Sequence, residues 1–447
     1  MNKIFGTDGV RGVANKELTC ELALAIAKSA TKILVKTKNK KPKVLIGKDP
    51  RISCDMLEHA MASGFSSMGI DVGLLGIIST PGVAFLTRKY KAQIGVMISA
   101  SHNSFEFNGI KLFKSDGYKL NDDLEKKIEE ILFSKKDLDV ANNRDIGKIF
   151  KEKNAQNDYV NYIVSCVNTD LNGLKVVLDC ANGASYKTAR KIFEALGAKI
   201  SLLSCKPNGL NINENCGSLC LEKLRKAVIK IGADFGVAFD GDADRCLAVS
   251  NTGKIVDGDK IIAICALDAK EKLKLNCNLV AGTIMSNLGL KKFCEKNGIK
   301  FVTTKVGDRY VLEKMLKFGI DIGGEQSGHI IFRNYSTTGD GQLTAVKLAE
   351  ILKLKNRKLE DLSSMVRVLP QKEFNIKANK EQKQKFLKNK KILSIISDAK
   401  TTLGENGKIV IRPSGTEPLI RLMVEWNDEK NIENFTFKIA EKISESL

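Results

Sequence analysis

The residues of this chain that could do chemistry begin with a serine that follows a short apolar run. The β-branched run at 94–98 predicts a buried strand, and the small residues after it place Ser101 at the strand's carboxyl end. In α/β proteins, ligands bind at the carboxyl ends of the strands. A serine there can carry a phosphoryl group, whose roughly two negative charges must be balanced by cations. The stretch therefore predicts a phosphoryl carrier with a metal and arginines nearby, with an ordinary Ser-rich turn as the alternative.

His102 stands next to this serine and raises the question of a serine hydrolase. Consecutive side chains on extended backbone point to opposite faces, so His102 is predicted to be poorly placed as a base for Ser101. The G-x-S-x-G pattern of hydrolases is absent around Ser101. The sequence therefore favours a phosphoryl carrier over a hydrolase nucleophile.

A candidate metal loop, DGDADR, follows another apolar strand. Its carboxylates, Asp240, Asp242 and Asp244, alternate along the chain. They can converge only around a positive charge, because each like-charge pair at ~4 Å costs on the order of 1–4 kcal/mol. A calcium loop of the EF-hand type would need glycine and glutamate where Arg245 and Asn251 stand. The loop therefore predicts Mg²⁺, which few carboxylates bind with room left for water or phosphate.

Three glycine-containing loops carry further polar groups. In GTDGVRG, glycines around Arg11 let the backbone approach a ligand closely. In VGDRY, Asp308 is predicted to cap the start of a helix. In GGEQSGHI, Glu325 and Ser327 suit the binding of sugar hydroxyls, and His329 suits proton transfer near neutral pH. A structural turn is the alternative for each.

The last polar loop, RPSGTEP, connects two predicted strands. Arg412 and Arg421 flank Ser414, Gly415 and Thr416, whose hydroxyls and backbone N–H groups can form an anion nest. The planar guanidinium group suits bidentate phosphate binding. The loop predicts a phosphate site rather than an ordinary Pro-Gly hairpin.

These motifs, together with NGIK at 108–111, resemble those of the α-D-phosphohexomutases, and they occur in that family's order from Gly6 to Arg421. The resemblance implies four domains around a central cleft: three related α/β domains with mixed sheets and a smaller C-terminal α+β domain. The expected bounds are 1–150 with the serine loop, 151–252 with the metal loop, 253–366 with the sugar loop and 367–447 with the phosphate loop. The last domain is expected to close over the substrate.

The resemblance also implies roles for individual residues. The catalytic residues are Ser101, Arg11, Lys111 and His329. The metal ligands are an oxygen on Ser101 with Asp240, Asp242 and Asp244, and Arg245 supports their loop. The substrate is bound by Gly307, Asp308, Glu325, Ser327, Arg412, Ser414, Gly415, Thr416 and Arg421.

By the same resemblance, the chain is an isomerase. Phosphorylated Ser101 donates its phosphoryl group to hexosamine 6-phosphate, and the resulting 1,6-bisphosphate, also an activator, reorients and returns its other phosphate. One Mg²⁺ and Arg11 offset the developing charge, and Lys111 and His329 move protons. The product, glucosamine 1-phosphate, would supply UDP-N-acetylglucosamine for the cell wall.

The expected sugar depends largely on one residue. GEQSGH resembles the sugar loop of the family's glucosamine-phosphate members, whereas members acting on glucose or mannose phosphates usually have methionine at Gln326. Phosphomannomutase or phosphoglucomutase activity stays open, and so, more distantly, does a phosphatase in which water takes the phosphate. The family usually has proline where Ser104 stands, so Asn103 loses a backbone restraint here.

Composition limits the remaining classes. The net charge of +20 makes RNA binding a hypothesis to consider. Against it, aromatic residues are only 6%, the lysines are interspersed with glutamates, and nucleic-acid motifs are absent. No apolar run reaches the ~18 residues of a membrane span, and the start lacks a signal peptide, so we expect a cytoplasmic protein. The 11 cysteines lack framework spacing, and Cys216 with Cys220 is a poor zinc site. We expect a sugar phosphate as the partner, without nucleic acid or membrane; a homodimer is left open.

Overall fold

The computed structural model describes residues 3–6, 8–35, 41–134, 138–414 and 417–447. Gly415 and Thr416, which the resemblance assigns to phosphate binding, lie outside these ranges. The described residues form four sheets, and we refer to each sheet with its helices as a domain, numbered I to IV in chain order. The expected α/β class with a smaller last domain is confirmed, while the bounds at 150, 252 and 366 stay predictions.

Domain I consists of β1 (Phe5–Gly6), β2 (Gly9–Val13), α1 (Cys20–Leu34), β3 (Lys43–Lys48), α2 (Cys54–Ser67), β4 (Asp71–Ile77), α3 (Thr80–Lys89), β5 (Ile94–Ile98), β6 (Phe107–Lys114), α4 (Asp122–Phe133) and β7 (Ile149–Lys151). Its sheet has the order β1-β2-β6-β5-β3-β4-β7. Strands β5, β3, β4 and β7 are parallel, whereas β6 and β2 pair antiparallel. The parallel strands leave their carboxyl ends at one edge of the sheet, and Ser101 follows β5 at that edge.

Domain II consists of α5 (Ala155–Ser165), β8 (Lys175–Asp179), α6 (Thr188–Ala195), β9 (Lys199–Leu203), α7 (Glu222–Ile231), β10 (Phe235–Phe239), β11 (Cys246–Ser250) and β12 (Ile255–Val256). The sheet order is β12-β11-β10-β8-β9, and β10 is parallel to β8 and antiparallel to β11. All five residues of β10 are buried. The DGDADR loop is the connection between β10 and β11, so this strand presents the three aspartates.

Domain III consists of α8 (Gly258–Glu271), β13 (Leu279–Thr283), α9 (Leu288–Lys296), β14 (Lys300–Thr304), α10 (Asp308–Phe318), β15 (Ile322–Gly324), β16 (Ile330–Phe332), α11 (Gly341–Lys355) and α12 (Leu359–Ser363). The sheet order is β14-β13-β15-β16, and β15 pairs antiparallel with β16. The sugar loop is the hairpin connection between β15 and β16.

Domain IV consists of β17 (Gln371–Lys377), α13 (Lys380–Lys385), α14 (Lys390–Leu403), β18 (Gly407–Pro413), β19 (Leu419–Trp426) and α15 (Ile432–Ser444). Its antiparallel sheet has the order β17-β19-β18. The predicted phosphate loop connects β18 to β19.

One continuous apolar core joins domains I to III. It includes buried Leu86 of α3, Tyr159 of α5, Phe239 of β10 and Val346 of α11, and each such side chain contributes roughly 1.5–3 kcal/mol by burial. Domain IV has its own core, in which Leu422 of β19 is buried. The loops of domains I to III are therefore fixed to a shared core, while the phosphate loop belongs to a separately packed unit.

Within the described ranges, we find no helix with both the length and the apolarity that crossing a bilayer requires.

Candidate active site

Ser101 directly faces the metal loop of domain II. Its Oγ donates a hydrogen bond to Asp240 Oδ2 at 2.5 Å, and the residue is buried. The backbone of Ser101 has a φ of 51°, in the left-handed region that a residue with a side chain rarely adopts. Such strain costs on the order of 1–3 kcal/mol and persists only where the surroundings hold it. The predicted meeting of the serine and the metal loop therefore occurs at a strained residue.

Two side chains hold this strained loop through its carbonyl groups. The Arg51 guanidinium donates to the carbonyls of Ser101 and Asn103, both at 2.9 Å, and also to those of Ser104 and Phe107. The Asn213 amide of domain II donates to the same two carbonyls, Ser101 and Asn103, at 2.9 Å. Arg51 is itself fixed by a buried ion pair with Asp49 at 2.9 Å. The loop geometry thus rests on groups distant in sequence.

We expect Arg51→Met to destabilise the protein by about 3–5 kcal/mol, because it leaves Asp49 as a buried charge without its partner. Urea unfolding measures the change. The matched control is Arg190→Met, which breaks an exposed pair with Glu194 on α6 and should change stability by less than ~0.5 kcal/mol. Equal effects of the two substitutions would show that the Asp49–Arg51 pair does not hold the loop.

The prediction for His102 was wrong in its geometry. Its Nδ1 lies 3.4 Å from Ser101 Oγ. The backbone at Ser101 is left-handed rather than extended, so the two consecutive side chains do not point to opposite faces. Burial, with the charges of Arg245 and Arg11, lowers the pKa of His102 to about 4. His102 is therefore a neutral and weakly basic neighbour of the serine.

The three aspartates of the loop form a compact, buried oxygen cluster. One carboxylate oxygen from each lies within 4.8 Å of the others, and among the described residues no other group meets the same criterion for a metal cluster. Asp242 Oδ1 and Asp244 Oδ1 are buried without a hydrogen-bond partner. Burial, followed by the charges of Asp244 and Asp242, raises the pKa of Asp240 well above its usual range. Unpaired oxygens and mutual repulsion are what a bound divalent cation would relieve, so the residues fit Mg²⁺.

Lys111 of β6 adds a fixed positive charge beside this cluster. Its Nζ lies 2.8 Å from Asp242 Oδ2, 2.8 Å from Asp8 Oδ2 and 3.5 Å from Asp244 Oδ2. Burial alone would lower the pKa of Lys111, but the carboxylates of Asp242, Asp8 and Asp244 outweigh it and raise the pKa well above its usual range. Lys111 is thus an ammonium ion that can stabilise anionic charge.

The histidine of the sugar loop is oriented by its neighbours. The backbone N–H of Gly339 donates to His329 Nε2 at 3.0 Å, and Nδ1 lies 3.6 Å from Asp244 Oδ2. This arrangement assigns the proton of the neutral ring to Nδ1. Burial lowers the pKa of His329, but Asp244 and Asp308 outweigh burial and raise it. The ring therefore links the metal loop to domain III.

The remaining polar groups of the sugar loop are positioned by its hairpin. Glu325 Oε1 accepts a hydrogen bond from the N–H of Gly307 at 2.9 Å, while Ser327 Oγ is buried without a partner. Gly307 has a φ of 125°, which favours glycine. The predicted cap was wrong: Gly307 is the N-cap residue of α10, and Asp308 instead pairs with Lys119 of domain I at 2.6 Å. Gln326 donates to Asp257 at 3.3 Å.

The predicted site residues Arg11 and Arg245 contact the serine loop and the metal loop, respectively. Arg11 lies near the serine loop, where it pairs with Asp8 at 3.2 Å and donates to Asn103 at 3.4 Å. The backbone N–H of Arg245 donates to Asp240 Oδ1 at 3.1 Å, and its side-chain Nε is buried without a partner. Both arginines thus have donors near Ser101 and the aspartates.

The described residues of the phosphate loop in domain IV form side-chain contacts with one another. Arg412 and Arg421 are opposite each other on β18 and β19, and Arg421 pairs with Glu417 at 2.5 Å. Ser414 Oγ accepts from the N–H of Glu417 at 3.2 Å. Among the described residues of this loop, we find no hydrogen bond or ion pair to domains I–III.

Several residues in this region were not singled out from the sequence as site residues. Asp8 lies within the GTDGVRG motif, in which the sequence pointed to Arg11. Thr80 of α3 donates a hydrogen bond to Asp242. Lys119, Arg51 and Asn213 gave no sequence signal, since their partners are distant in the chain. The group comprises Asp8, Arg51, Thr80, Lys119 and Asn213.

The comparisons with known proteins identify the family of the chain. Sequence models of the phosphoglucomutase/phosphomannomutase family match as α/β/α domain I over 2–139, domain II over 157–253, domain III over 257–369 and the C-terminal domain over 373–442. The chain therefore belongs to this family, the α-D-phosphohexomutases, and the isomerase class expected from its motifs is confirmed.

Full-length relatives of the chain are phosphoglucosamine mutases. The phosphoglucosamine mutase of Acetivibrio thermocellus is 48% identical over 448 residues, covering 100% of both chains. That of Clostridium acetobutylicum is 49% identical over 444 residues, covering 99% of each.

Solved structures share the fold at lower identity. A phosphoglucomutase/phosphomannomutase family protein from Burkholderia thailandensis gives a TM-score of 0.82 at 22% identity, covering 99% of this chain and 98% of its own. The N-acetylphosphoglucosamine mutase of Aspergillus fumigatus, solved in complex with GlcNAc-6P and magnesium, gives 0.68 at 16% identity, covering 99% and 95%. These likenesses support the four-domain fold.

Proposed function

We propose that this protein is a phosphoglucosamine mutase, which interconverts glucosamine 6-phosphate and glucosamine 1-phosphate through a phosphoserine at Ser101. The observation that carries the proposal is the 2.5 Å hydrogen bond between Ser101 Oγ and Asp240, which holds the candidate carrier against three buried carboxylates. The full-length relatives named phosphoglucosamine mutase support the choice of substrate.

The proposed reaction begins with phosphorylated Ser101 and glucosamine 6-phosphate. The 1-hydroxyl oxygen of the sugar forms a bond to phosphorus, the bond between phosphorus and Ser101 Oγ breaks, and glucosamine 1,6-bisphosphate results. The bisphosphate then reorients in the site. Its 6-phosphate group is transferred to Ser101, which leaves glucosamine 1-phosphate. A Mg²⁺ bound by Asp240, Asp242 and Asp244 would withdraw charge from the phosphoryl group in both transfers.

The protein's own cations and proton-transfer groups complete this chemistry. We assign charge stabilisation on the transferring group to Arg11, Lys111 and the supporting Arg245, because their cationic groups lie in domains I and II around Ser101. The raised pKa of Lys111 keeps the group cationic, which suits it to stabilise anionic charge. Lys111 and His329 remain together the proposed groups for moving protons to and from the sugar hydroxyl.

Substrate binding is proposed for groups on domains III and IV. Glu325 and Ser327 would bind the sugar hydroxyls, with Gly307 and Asp308 beside them at the start of α10. The non-reacting phosphate would be bound by Arg412, Ser414, Gly415, Thr416 and Arg421. We propose that domain IV closes over the substrate, which its own core permits.

A substrate panel tests the proposal. We expect the purified chain with Mg²⁺ to convert glucosamine 6-phosphate with a kcat/KM at least ~10²-fold above that for glucose or mannose 6-phosphate, measured by phosphorus NMR and primed with the bisphosphate. Preference for glucose or mannose phosphate would reassign the chain within its family. Steady release of inorganic phosphate equal to sugar consumed would indicate a phosphatase.

The intact mass gives the second arm of this test. Phosphatase treatment should remove one phosphate, and tandem mass spectrometry should locate it on Ser101.

We further propose a cytoplasmic enzyme that supplies UDP-N-acetylglucosamine synthesis, with one Mg²⁺ per chain and no nucleic-acid partner.

A further inference from the structure

A closed ring of alternating acidic and basic side chains lies at the site and joins three domains. It runs from Asp244 of domain II through Lys111, Asp8 and Lys119 of domain I to Asp308 and His329 of domain III, and back to Asp244. The successive N–O distances are 3.5, 2.8, 2.5, 2.6, 3.6 and 3.6 Å. Each acidic group thus lies between two basic groups, and each basic group between two acidic ones.

Among the described residues, the ammonium group of Lys119 forms ion pairs only with two carboxylates of this ring. Its Nζ contacts Asp8 and Asp308, its side chain is 18% exposed, and within the described residues it has no hydrogen bond or ion pair with Ser101 or the metal loop. The charges of Asp308 and Asp8 outweigh burial and raise the pKa of Lys119, so the group stays cationic. Any effect of Lys119 on the reaction must therefore act through those two carboxylates.

Those two carboxylates orient the groups that handle charge and protons. Asp8 contacts both Lys111, at 2.8 Å, and Arg11, at 3.2 Å. Asp308 Oδ2 lies 3.6 Å from His329 Nε2 and begins α10 beside Gly307. Without the ammonium between them, Asp8 and Asp308 would be like charges bordering the same space and would repel each other. Such repulsion would displace Asp8 and Asp308 from their present positions.

We propose that Lys119 is a positioning residue, which bridges Asp8 and Asp308 and thereby fixes Lys111 and His329 beside Asp244. The proposal rests on the proposed function, since it concerns the groups that serve phosphoryl transfer. A misplacement of ~1 Å can slow such a step by about 10²-fold.

A single-turnover experiment separates positioning from folding. Enzyme phosphorylated on Ser101 is mixed with glucosamine 6-phosphate and Mg²⁺, and loss of label from the protein is followed in rapid-quench samples. For Lys119→Met we expect the rate constant to fall about 10²-fold while the amplitude, which counts competent molecules, stays at the wild-type level. A loss of amplitude at an unchanged rate constant would overturn the proposal in favour of a merely structural role.

Two further variants sharpen the comparison. Lys119→Arg keeps the charge and should return the rate constant to within about 10-fold of wild type. Lys114→Met removes a lysine from the end of β6 that pairs with Asp116 and is 36% exposed, and it should leave the rate constant within about 2-fold. Equal losses in Lys119→Arg and Lys119→Met, or in the Lys114 control, would overturn the assignment.

Hydrogen exchange tests the ring of side chains without measuring enzyme activity. In Lys119→Met, peptides covering 306–310 and 325–330 should exchange faster than in wild type, and in Lys114→Met they should not. Unchanged exchange in Lys119→Met would overturn the proposed positioning role of Lys119. If wild-type enzyme never transfers phosphate from Ser101, the proposed function fails, whereas the exchange measurement still decides whether Lys119 connects domains I and III.

Discussion

Ser101→Ala should lower mutase turnover by at least about 10⁴-fold while leaving the protein folded. The substitution removes the only atom of this side chain that can carry a phosphoryl group. Its structural cost is one hydrogen bond to Asp240, about 1 kcal/mol, because the strained backbone is held by Arg51 and Asn213 through carbonyl groups that alanine retains. Turnover of glucosamine 6-phosphate, the unfolding midpoint and the intact mass measure the three effects.

The matched control for this prediction is Ser104→Ala in the same loop. Ser104 is exposed, and its carbonyl, which Arg51 binds, is unchanged by the substitution. We expect wild-type turnover within about 2-fold and one removable phosphate. If Ser101→Ala kept substantial turnover, or if phosphate were found on Ser104 instead, the carrier assignment would be wrong.

Asp240→Asn is expected to abolish the stabilisation that Mg²⁺ gives and to lower turnover by on the order of 10²-fold or more. In the metal-free protein, burial and the charges of Asp244 and Asp242 raise the pKa of Asp240, so its ionised form is unfavourable there. The amide keeps the shape without the charge. In chelator, the variant should therefore unfold at the same temperature as wild type or higher, whereas saturating Mg²⁺ should raise the midpoint of wild type alone.

The raised pKa also gives this prediction a pH dependence. An acid with a raised native pKa favours the folded state while it is protonated, and that contribution is lost as pH rises through the native pKa. In chelator, wild type should therefore lose stability relative to Asp240→Asn as pH rises above the ordinary carboxyl range. Scans with and without Mg²⁺ at several pH values measure the difference.

Asp268→Asn on α8 provides the control for the metal prediction. Asp268 is a buried carboxylate outside the site, paired with Lys272 at 2.8 Å and Lys355 at 3.7 Å. This variant should retain the Mg²⁺-dependent rise in the unfolding midpoint. If Asp240→Asn retained the rise as well, the metal would have to bind elsewhere.

Residues whose chemistry lies in a short motif could be predicted well. The apolar run before Ser101 predicted β5, and DGDADR predicted a convergence of carboxylates that the structure contains. Both inferences succeeded because a buried strand fixes where its following loop begins. The two errors, at His102 and Asp308, each depended on the backbone angles of one neighbouring residue, Ser101 at 51° and Gly307 at 125°. Rules for regular backbone fail at such positions.

By itself, the sequence determined the order of the motifs, the family and the candidate serine and aspartates, because side-chain chemistry and strand periodicity are local properties. Only the tertiary structure decided which distant charges meet. Lys119 reaches Asp8, 111 positions away, and Asp308, 189 positions away. Such pairings follow from how three domains pack on a shared core, and local periodicity carries no information about that packing.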